Sequence, residues 1–282
     1  MLINKSMEDH HKQRTEALSL HERYRWVLGV RPMVLADRVA RLVLPTERRR
    51  IIETDMGIKL YIDPFNNVGS SLLSLGTYEP ETLDLLRAHI HPGDRCLDIG
   101  ANEGLLSAFM GKLAGPTGMV ACVEPQSRLR DIIEINLQIN EIPCWHIFQN
   151  VLGGVEGDTT VLHLWPFLNT GASGLTRKAK FGNTSEAVDF ISPEAICSQC
   201  EVDGFDMVKV DVEGFEHKVV AVLQPLMKAG KIKKLLLDYH APILQAQNIN
   251  PRDIHDSLLS CGMSLCVGTD DSFESYRLYR HD

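Results

Sequence analysis

The chain has 282 residues, which is long enough for one large hydrophobic core and a modest additional segment. Its hydrophobic fraction of 44% and charged fraction of 23% are typical of a globular protein and exclude a fibrous or disordered one. The sequence has no run of about 18 apolar residues, and its polar N-terminus lacks the apolar segment of a secretory signal. We therefore expect neither a transmembrane helix nor a cleaved leader.

The net charge of −8 is distributed unevenly along the chain. Residues 12–50 contain ten Lys and Arg side chains and four Asp and Glu side chains, a local balance of +6 that leaves −14 on the remainder. Because an acidic body repels polyanions, we expect no nucleic-acid partner.

The seven cysteines are odd in number and lie mostly in apolar segments, which predicts reduced thiols in a cytoplasmic protein. Cys197 and Cys200 form the one CxxC motif. A structural zinc site needs two further ligands at a similar spacing, which the sequence does not supply. We therefore interpret the pair as ordinary thiols rather than a metal or redox site.

The first fifty residues are predicted to form a helical N-terminal extension of a larger unit that spans residues 51–282. Residues 31–44 place Leu35, Val39 and Leu42 on one helix face, with arginines between them. Two arrangements remain open. The helix either binds an anionic surface such as a membrane as a basic amphipathic helix, or packs on the larger unit with its arginines in solvent.

The rest of the chain alternates between strand and helix patterns. Residues 49–63 are typical of a hairpin around Asp55-Met56-Gly57, and residues 150–200 are predicted to be irregular, with a hairpin near 160–164. Further strands are predicted at 95–99, 119–123, 144–149, 207–212 and 234–239, helices at 79–90, 105–113, 126–140 and 215–228, and a helix with two strands over 251–280. This alternation predicts an α/β fold with a doubly wound, mainly parallel, Rossmann-like sheet.

Ligands of such sheets bind beyond the carboxyl ends of the strands, and a glycine turn follows the first of them. Asp98, Gly100, Asn102 and Gly104 stand in this turn. A dinucleotide site needs a glycine where Asn102 stands, so that backbone can approach a pyrophosphate, which the Asp98 carboxylate would repel. A carboxylate instead favours the cationic amine and sulfonium of S-adenosylmethionine. We therefore predict that these four residues bind that cofactor; the alternative is a tight turn without a ligand.

The next two strand ends extend the predicted cofactor site. Glu124 lies 24 positions after Gly100, close to the roughly 20 expected of a carboxylate that accepts hydrogen bonds from ribose hydroxyls. Asn150 follows the third strand, at the position that flanks the adenine in this architecture, although an ordinary loop role explains it equally well.

The last two parallel strands end in acidic residues and a histidine. Lys209 and Asp211 share one strand face, which fits either a buried structural ion pair or a functional cluster. Asp211 and Glu213 end the fourth strand, and Asp238 and His240 end the fifth. We predict that Asp211, Glu213, Asp238 and His240 are the catalytic residues.

These motifs resemble the FkbM family of methyltransferases over about residues 70–240. The resemblance rests on Leu97-Asp-Ile-Gly-Ala-Asn-Glu-Gly104, Val123-Glu-Pro125, Asn136 with Asn140, Val208-Lys-Val-Asp-Val-Glu-Gly214 and Tyr78-Glu-Pro80. It implies S-adenosylmethionine as the methyl donor and a hydroxyl acceptor, often on a sugar or secondary metabolite. Glu79 is expected to reach the methionine end of the cofactor. A Glu is commoner in that family where this chain has Asp238-Tyr239-His240.

The sequence therefore predicts an S-adenosylmethionine-dependent methyltransferase that acts on a small-molecule or glycan hydroxyl. A hydroxyl is a poor nucleophile, so it needs either a base or a metal ion to activate it. The base would be His240, whose activity would fall off below about pH 6.5. The metal would be a divalent ion held among the four catalytic residues. One alternative is a nicotinamide-dependent oxidoreductase, against which Asp98 and Asn102 count. The other is a cofactor-binding protein without catalysis, against which Asp211 and Glu213 count.

Overall fold

The computed structural model describes residues 2–31, 33–175, 184–269, 273 and 276–281. Its helices are α1 Leu2–Tyr24, α2 Met33–Val43, α3 Asn67–Leu75, α4 Pro80–His89, α5 Leu105–Ala114, α6 Arg130–Ile139, α7 Pro193–Gln199, α8 Glu216–Lys228, α9 Ala241–Ala246 and α10 Pro251–Ser260. Its strands are β1 Arg50–Glu53, β2 Lys59–Ile62, β3 Arg95–Ile99, β4 Met119–Val123, β5 Trp145–Phe148, β6 Val151–Leu152, β7 Thr159–Leu164, β8 Thr184–Ile191, β9 Met207–Val210, β10 Lys234–Leu237, β11 Met263–Val267 and β12 Arg277–His281. Within these described ranges, no helix combines the length and the apolar character needed to cross a bilayer.

A seven-stranded sheet in the order β11-β12-β10-β9-β3-β4-β5 forms the centre of the fold. The five strands from β10 to β5 pair in parallel, whereas β12 runs antiparallel to both of its neighbours. Every residue of β4 and β9 is buried, as expected of parallel strands that are covered on both faces. The predicted doubly wound, mainly parallel, Rossmann-like sheet is confirmed.

Two hydrophobic cores lie on the two faces of this sheet. Leu223 of α8 and Leu258 of α10 belong to one core, and Leu86 of α4, Phe109 of α5 and Ile133 of α6 belong to the other. The second core also takes in the antiparallel hairpin β1–β2, which agrees with the hairpin predicted around Asp55-Met56-Gly57.

The first fifty residues contain α1 and α2, which agrees with their predicted helical character. The helix α1 packs against β1, where the N–H of Ile51 donates to the side chain of Gln13 at 2.9 Å. The helix α2 packs on Phe65 and Leu168 of the larger unit. The division of the chain at residue 50 stays a prediction.

Residues 150–200 are more regular than predicted. The strands β6, β8 and β7 form a second sheet in that order, and α7 follows it. The strand predicted near 160–164 exists, but it pairs with β8 rather than with an adjacent strand. The sequence pattern missed this sheet because β7 has Leu162 as its one buried residue, so its apolar alternation is weak. The short helices α3 and α9 were also missed.

The strand registers bring four predicted site segments to one edge of the central sheet. Ile99 at the end of β3 pairs with Val123 of β4 and with Val210 of β9, and Val210 pairs with Leu237 of β10. The segments that follow these strands therefore start side by side.

Candidate active site

A cleft of about 950 Å³, counted out to its open mouth, lies beyond the carboxyl ends of β3, β4, β9 and β10. Its floor includes Ile99 and Val123, the last residues of two of these strands. Its walls come from Glu79 in front of α4 and from the segments around Leu152 and Ser173. This is the position at which a doubly wound sheet binds its ligand.

The cleft is acidic. Its carboxylates are Glu79, Glu124, Asp211, Glu213 and Asp238, and His240 lies among them. Of the residues that line the cleft within the described structure, none is Lys or Arg. Because carboxylates attract cations and repel phosphates, the cleft favours a cationic ligand without a phosphate group.

Three of the six non-glycine residues with positive φ in the described structure line this cleft. Glu79, Asn102 and Glu213 adopt left-handed conformations with φ of 46°, 50° and 49°. Such a conformation costs a non-glycine residue about 1–3 kcal/mol and tends to occur at functional sites. All three residues line the cleft, which is consistent with backbone held in place for binding.

The glycine turn after β3 brings two of its four predicted ligand residues to the cleft surface. Gly100 and Asn102 line it. Gly100 has φ of +83°, and a Cβ there would lie 1.8 Å from the carbonyl oxygen of Asp211. Only glycine therefore allows β3 and the end of β9 to approach this closely.

Gly104 does not line the cleft, and its role as a cofactor ligand stays a prediction. Its φ is +77°, and a Cβ at this position would lie 3.1 Å from Ile133 of α6. The residue instead allows the start of α5 to pack closely on α6.

Asp98 is also absent from the cleft lining, and its contact with the cofactor stays a prediction. The residue is fully buried, and its carboxylate accepts a hydrogen bond from Ser107 at 2.6 Å. Its cationic partner is the buried Lys209, whose Nζ lies 3.2 Å from Oδ1. The positive charge that partners Asp98 is therefore supplied by Lys209 on the neighbouring strand β9, whereas the sequence pattern predicts the cofactor as its source.

Lys209 lies beneath the cleft and connects three strand ends. Its Nζ donates to the carbonyl oxygen of Gly100 at 3.1 Å and lies 3.6 Å from Oδ2 of Asp211. Burial lowers the pKa of Lys209, but the charges of Asp98 and Asp211 outweigh this effect and raise it. The structure thus contains the buried ion pair of Lys209 with Asp98, and a functional role of Lys209 stays a prediction.

Glu124 lines the cleft at the end of β4 and is held by backbone. Its carboxylate accepts the N–H of Asn102 at 2.8 Å and the N–H of Gln126 at 3.0 Å. Burial raises the pKa of Glu124 to about 7, although these two hydrogen bonds oppose the shift. The carboxylate is thus fixed at the cleft wall and titrates near neutrality.

Amide side chains line the cleft as well. Asn150 lies there as predicted, and its Nδ2 donates to the carbonyl oxygen of Asp189 in β8 at 3.2 Å. Sequence reasoning missed Asn67, Gln126 and Asn169. Gln126 lies two residues after Glu124, so its place in the cleft could have been predicted from the end of β4. Asn67 and Asn169 follow no strand of the central sheet, so no such prediction was available for them.

Glu79 lies at the acidic end of the cleft and is held by the antiparallel edge of the sheet. The hydroxyl of Tyr276, next to β12, donates to Oε2 of Glu79 at 2.8 Å and lies 3.5 Å from Oδ2 of Asp211. Burial, followed by the charge of Asp211, raises the pKa of Glu79. Sequence reasoning missed Tyr276, which is 197 positions away from Glu79.

The four predicted catalytic residues are brought together around one imidazole nitrogen. Nε2 of His240 lies 3.7 Å from Oδ1 of Asp211, 3.8 Å from Oε1 of Glu213 and 3.7 Å from Oδ2 of Asp238. These distances are those of ion pairs rather than of short hydrogen bonds.

The other ring nitrogen of His240 has a partner that sequence reasoning missed. Nδ1 lies 2.7 Å from Oε1 of Glu216, a fully buried residue at the start of α8. Burial lowers the pKa of His240, but the hydrogen bond to Glu216 and the charges of Asp211 and Asp238 raise it to about 9. His240 is therefore protonated at neutral pH. This differs from the free imidazole with an ordinary pKa of about 6.5 that the sequence predicts, and the catalytic role of His240 stays a prediction.

Asp238 is the group at this end of the cleft whose titration falls near neutrality. Burial, followed by the charge of Asp211, raises the pKa of Asp238 to about 7. One ligand atom each from Asp211, Asp238 and His240 lies within 4.8 Å of the others, close enough to surround one divalent ion. The positive charges of Lys209 and protonated His240 already balance part of this acidic cluster.

A family model for protein-L-isoaspartate(D-aspartate) O-methyltransferases matches residues 25–159, which is just under half of the chain. The match covers β3, β4 and β5 together with the Gly100 turn, Glu124 and Asn150. It ends before Asp211, so it does not reach the acidic cluster around His240.

Three solved structures illustrate the similarity of fold. Fibrillarin from Aeropyrum pernix, in complex with S-adenosyl-L-methionine, is 15% identical with a TM-score of 0.42, over 71% of this chain and 73% of its own. An O-methyltransferase from Bacillus cereus, in complex with SAH, is 10% identical with a TM-score of 0.43, over 73% and 83%. Fibrillarin from Methanococcus jannaschii is 12% identical with a TM-score of 0.43, over 85% of both chains. These likenesses concern the fold and are too distant to assign an activity.

Proposed function

We propose that the chain is an S-adenosylmethionine-dependent methyltransferase. The observation that carries this proposal is the charge of the cleft, where the titratable lining consists of five carboxylates, His240 and Tyr78. S-adenosylmethionine bears a cationic amine and a sulfonium and has no phosphate. A nicotinamide dinucleotide would place its pyrophosphate among these carboxylates, which is electrostatically unfavourable. The family match over the first half of the sheet supports the same cofactor.

The cleft residues divide into two binding regions in this proposal. Glu124, held by the N–H groups of Asn102 and Gln126, accepts hydrogen bonds from the ribose hydroxyls. Asn150 supplies the polar contact to the adenine, and Glu79 receives the cationic amine at the opposite, acidic end. When bound, the cofactor supplies a methyl group on a positively charged sulfur, which becomes a neutral thioether on transfer.

The acidic cluster provides the proton acceptor for the methylated group. Asp238, whose pKa is about 7, takes the proton that a hydroxyl loses as its oxygen is methylated. Protonated His240 lies 3.7 Å from both Asp238 and Asp211 and lowers their mutual repulsion. Glu216 is a positioning residue, because it holds the imidazole through Nδ1.

The acceptor is proposed to be a hydroxyl on a sugar or a secondary metabolite, as the FkbM resemblance implies. A hydroxyl can donate a hydrogen bond to the carboxylates of Asp211, Glu213 or Asp238. The matched family model names a carboxylate acceptor instead, and five carboxylates in the cleft would repel such a group. The free state of all seven cysteines supports activity in a reducing compartment such as the cytoplasm.

An acceptor screen with methyl-labelled S-adenosylmethionine tests this function. The panel comprises hydroxyl-rich small molecules, glycans, an isoaspartyl peptide and RNA, with the Asp211→Asn variant as the control for enzyme-dependent transfer. The proposal expects label on a hydroxyl acceptor. Label on the peptide or on RNA would support methyltransferase activity but contradict the proposed hydroxyl acceptor. Cofactor binding without transfer to any member of the panel would favour a binding protein without catalysis.

A further inference from the structure

The helix α2 presents an apolar face to solvent that the cleft and the proposed activity do not use. Leu42 is 86% exposed, Leu35 47% and Val43 37%. The helix is attached to the protein by its opposite side, where Ala36 and Ala40 are buried. Leu35 and Leu42 therefore point outward, whereas the small residues Ala36 and Ala40 face inward, the reverse of an ordinary packed helix.

Positive charge and an aromatic ring accompany this face. Arg31 and Arg38 are exposed in and beside α2, and Arg41 is 63% exposed while it pairs with Asp37 at 2.8 Å. Trp26 is 54% exposed on the short 3-10 helix Arg25–Gly29, which packs against α2. We define the α2 patch as Trp26, Arg31, Leu35, Arg38, Leu42 and Val43.

We propose that the α2 patch docks the protein on an anionic lipid bilayer. The argument is charge complementarity. Residues 12–50 carry a net charge of +6, while the rest of the chain carries −14. Arg48 and Arg49 of this segment pair with acidic residues of the body, but Arg31 and Arg38 are exposed at the patch. Anionic headgroups therefore attract this end and repel the body. Arginines between protruding leucines, with a tryptophan nearby, are the composition of helices that lie in the headgroup region.

Docking in this way brings one wall of the cleft close to the bilayer. The inner side of α2 packs against Leu168, in the 3-10 segment Phe167–Ala172. The same segment supplies Asn169 and Gly171 to the cleft lining. The patch is thus connected to the cleft through α2 and this segment, although its docking does not depend on the chemistry proposed for that cleft.

Vesicle co-sedimentation of the full chain tests the proposal. One set of vesicles contains phosphatidylcholine alone and the other contains phosphatidylcholine mixed with phosphatidylglycerol. We expect binding to the mixed vesicles, with affinity that falls as salt is raised. The double variants Leu35→Ser/Leu42→Ser and Arg31→Glu/Arg38→Glu should each weaken partitioning at least about tenfold.

Matched control substitutions lie on α10, which packs on the sheet face opposite to α1. Leu259 is 44% exposed, close to the value for Leu35, and Arg252 is also exposed, so Leu259→Ser and Arg252→Glu should leave vesicle binding unchanged. Each variant should keep the wild-type melting temperature and cofactor affinity. Equal binding to both vesicle types, or no binding, would overturn the proposal. If the wild type does not bind vesicles but forms a dimer, and the patch variants are monomers, the α2 patch is instead an interface with a second copy of the chain.

Discussion

Nδ1 of His240 lies 2.7 Å from Oε1 of Glu216, and the Glu216 side chain is fully buried. The same oxygen accepts the N–H of Gly214 at 2.9 Å, so the position of the carboxylate is fixed by backbone. A buried carboxylate favours a protonated partner, because an unpaired charge in the interior is costly. This pair therefore favours the protonated form of His240, the histidine among the described residues that line the cleft.

Replacement of Glu216 by Gln should release His240 from this influence. The amide cannot supply a negative charge, so we expect the pKa of His240 to fall from about 9 toward its ordinary value of 6.5. NMR titration of the imidazole resonances, compared with those of the His240→Gln variant for assignment, measures the shift. An unchanged pKa in Glu216→Gln would show that Asp211 and Asp238 alone hold the proton.

The same raised pKa predicts a pH dependence of stability. A histidine with a folded-state pKa of about 9 and an ordinary value of 6.5 stabilises the fold fully below pH 6.5 and loses that contribution as the pH rises to about 9. The contribution is on the order of 3 kcal/mol at most. Denaturant unfolding of the wild type and of His240→Gln should show a difference in free energy that shrinks across this window. A difference that stays constant from pH 6.5 to 9 would contradict the assignment.

The regular part of the fold follows from local patterns. The ends of β3 and β4 were predicted to the residue, because buried parallel strands are continuous apolar runs bounded by glycine and charged residues. The gathering of Asp211, Glu213, Asp238 and His240 followed from strand ends alone. The sheet β6-β8-β7 was not predictable, because its alternation of apolar residues is weak.

The sequence did not reveal the contacts in the site that are made by partners distant along the chain. The presence of a buried Asp98 implied a cationic partner, but the sequence could not show that Lys209 on the adjacent strand would supply it. Glu216 stands in the first turn of α8, where acidic residues are common for electrostatic reasons alone, so it carried no distinguishing signal. Periodicity placed Leu35 and Leu42 on one face of α2 but left two arrangements open, since a helical pattern gives a face without saying what covers it.

Glu124→Gln should weaken binding of S-adenosylhomocysteine by about 1–3 kcal/mol, because the ribose hydroxyls lose a charged acceptor. Gln is preferred to Ala because its oxygen can still accept the N–H of Asn102. The control is Glu186→Gln, a nearby carboxylate that accepts from Ser127 outside the cleft lining. Calorimetry measures both affinities.

The raised pKa of Glu124 adds a second readout to that experiment. Because burial raises this pKa to about 7, wild-type affinity should increase as the pH rises through 7, and the Gln variant should lose this dependence. A variant that keeps both the wild-type affinity and its pH dependence would remove Glu124 from the ribose site.

Chelation should leave methyl transfer unchanged. Lys209, 3.6 Å from Asp211, and protonated His240, 3.7 Å from Asp211 and Asp238, supply positive charge where a divalent ion would otherwise be needed. Activity in the acceptor assay is measured before and after dialysis against a chelator, and again with added Mg²⁺ or Mn²⁺. Loss of activity that either ion restores would establish the metal mechanism predicted as the alternative from the sequence.

Calorimetric titration of the unmodified protein with S-adenosylmethionine and with NAD tests the central claim most directly. The acidic cleft predicts binding of S-adenosylmethionine at the micromolar level, about −8 kcal/mol, and no measurable binding of NAD. Tight binding of NAD with none of S-adenosylmethionine would contradict the account, because it would show that the five carboxylates of the cleft accommodate a pyrophosphate.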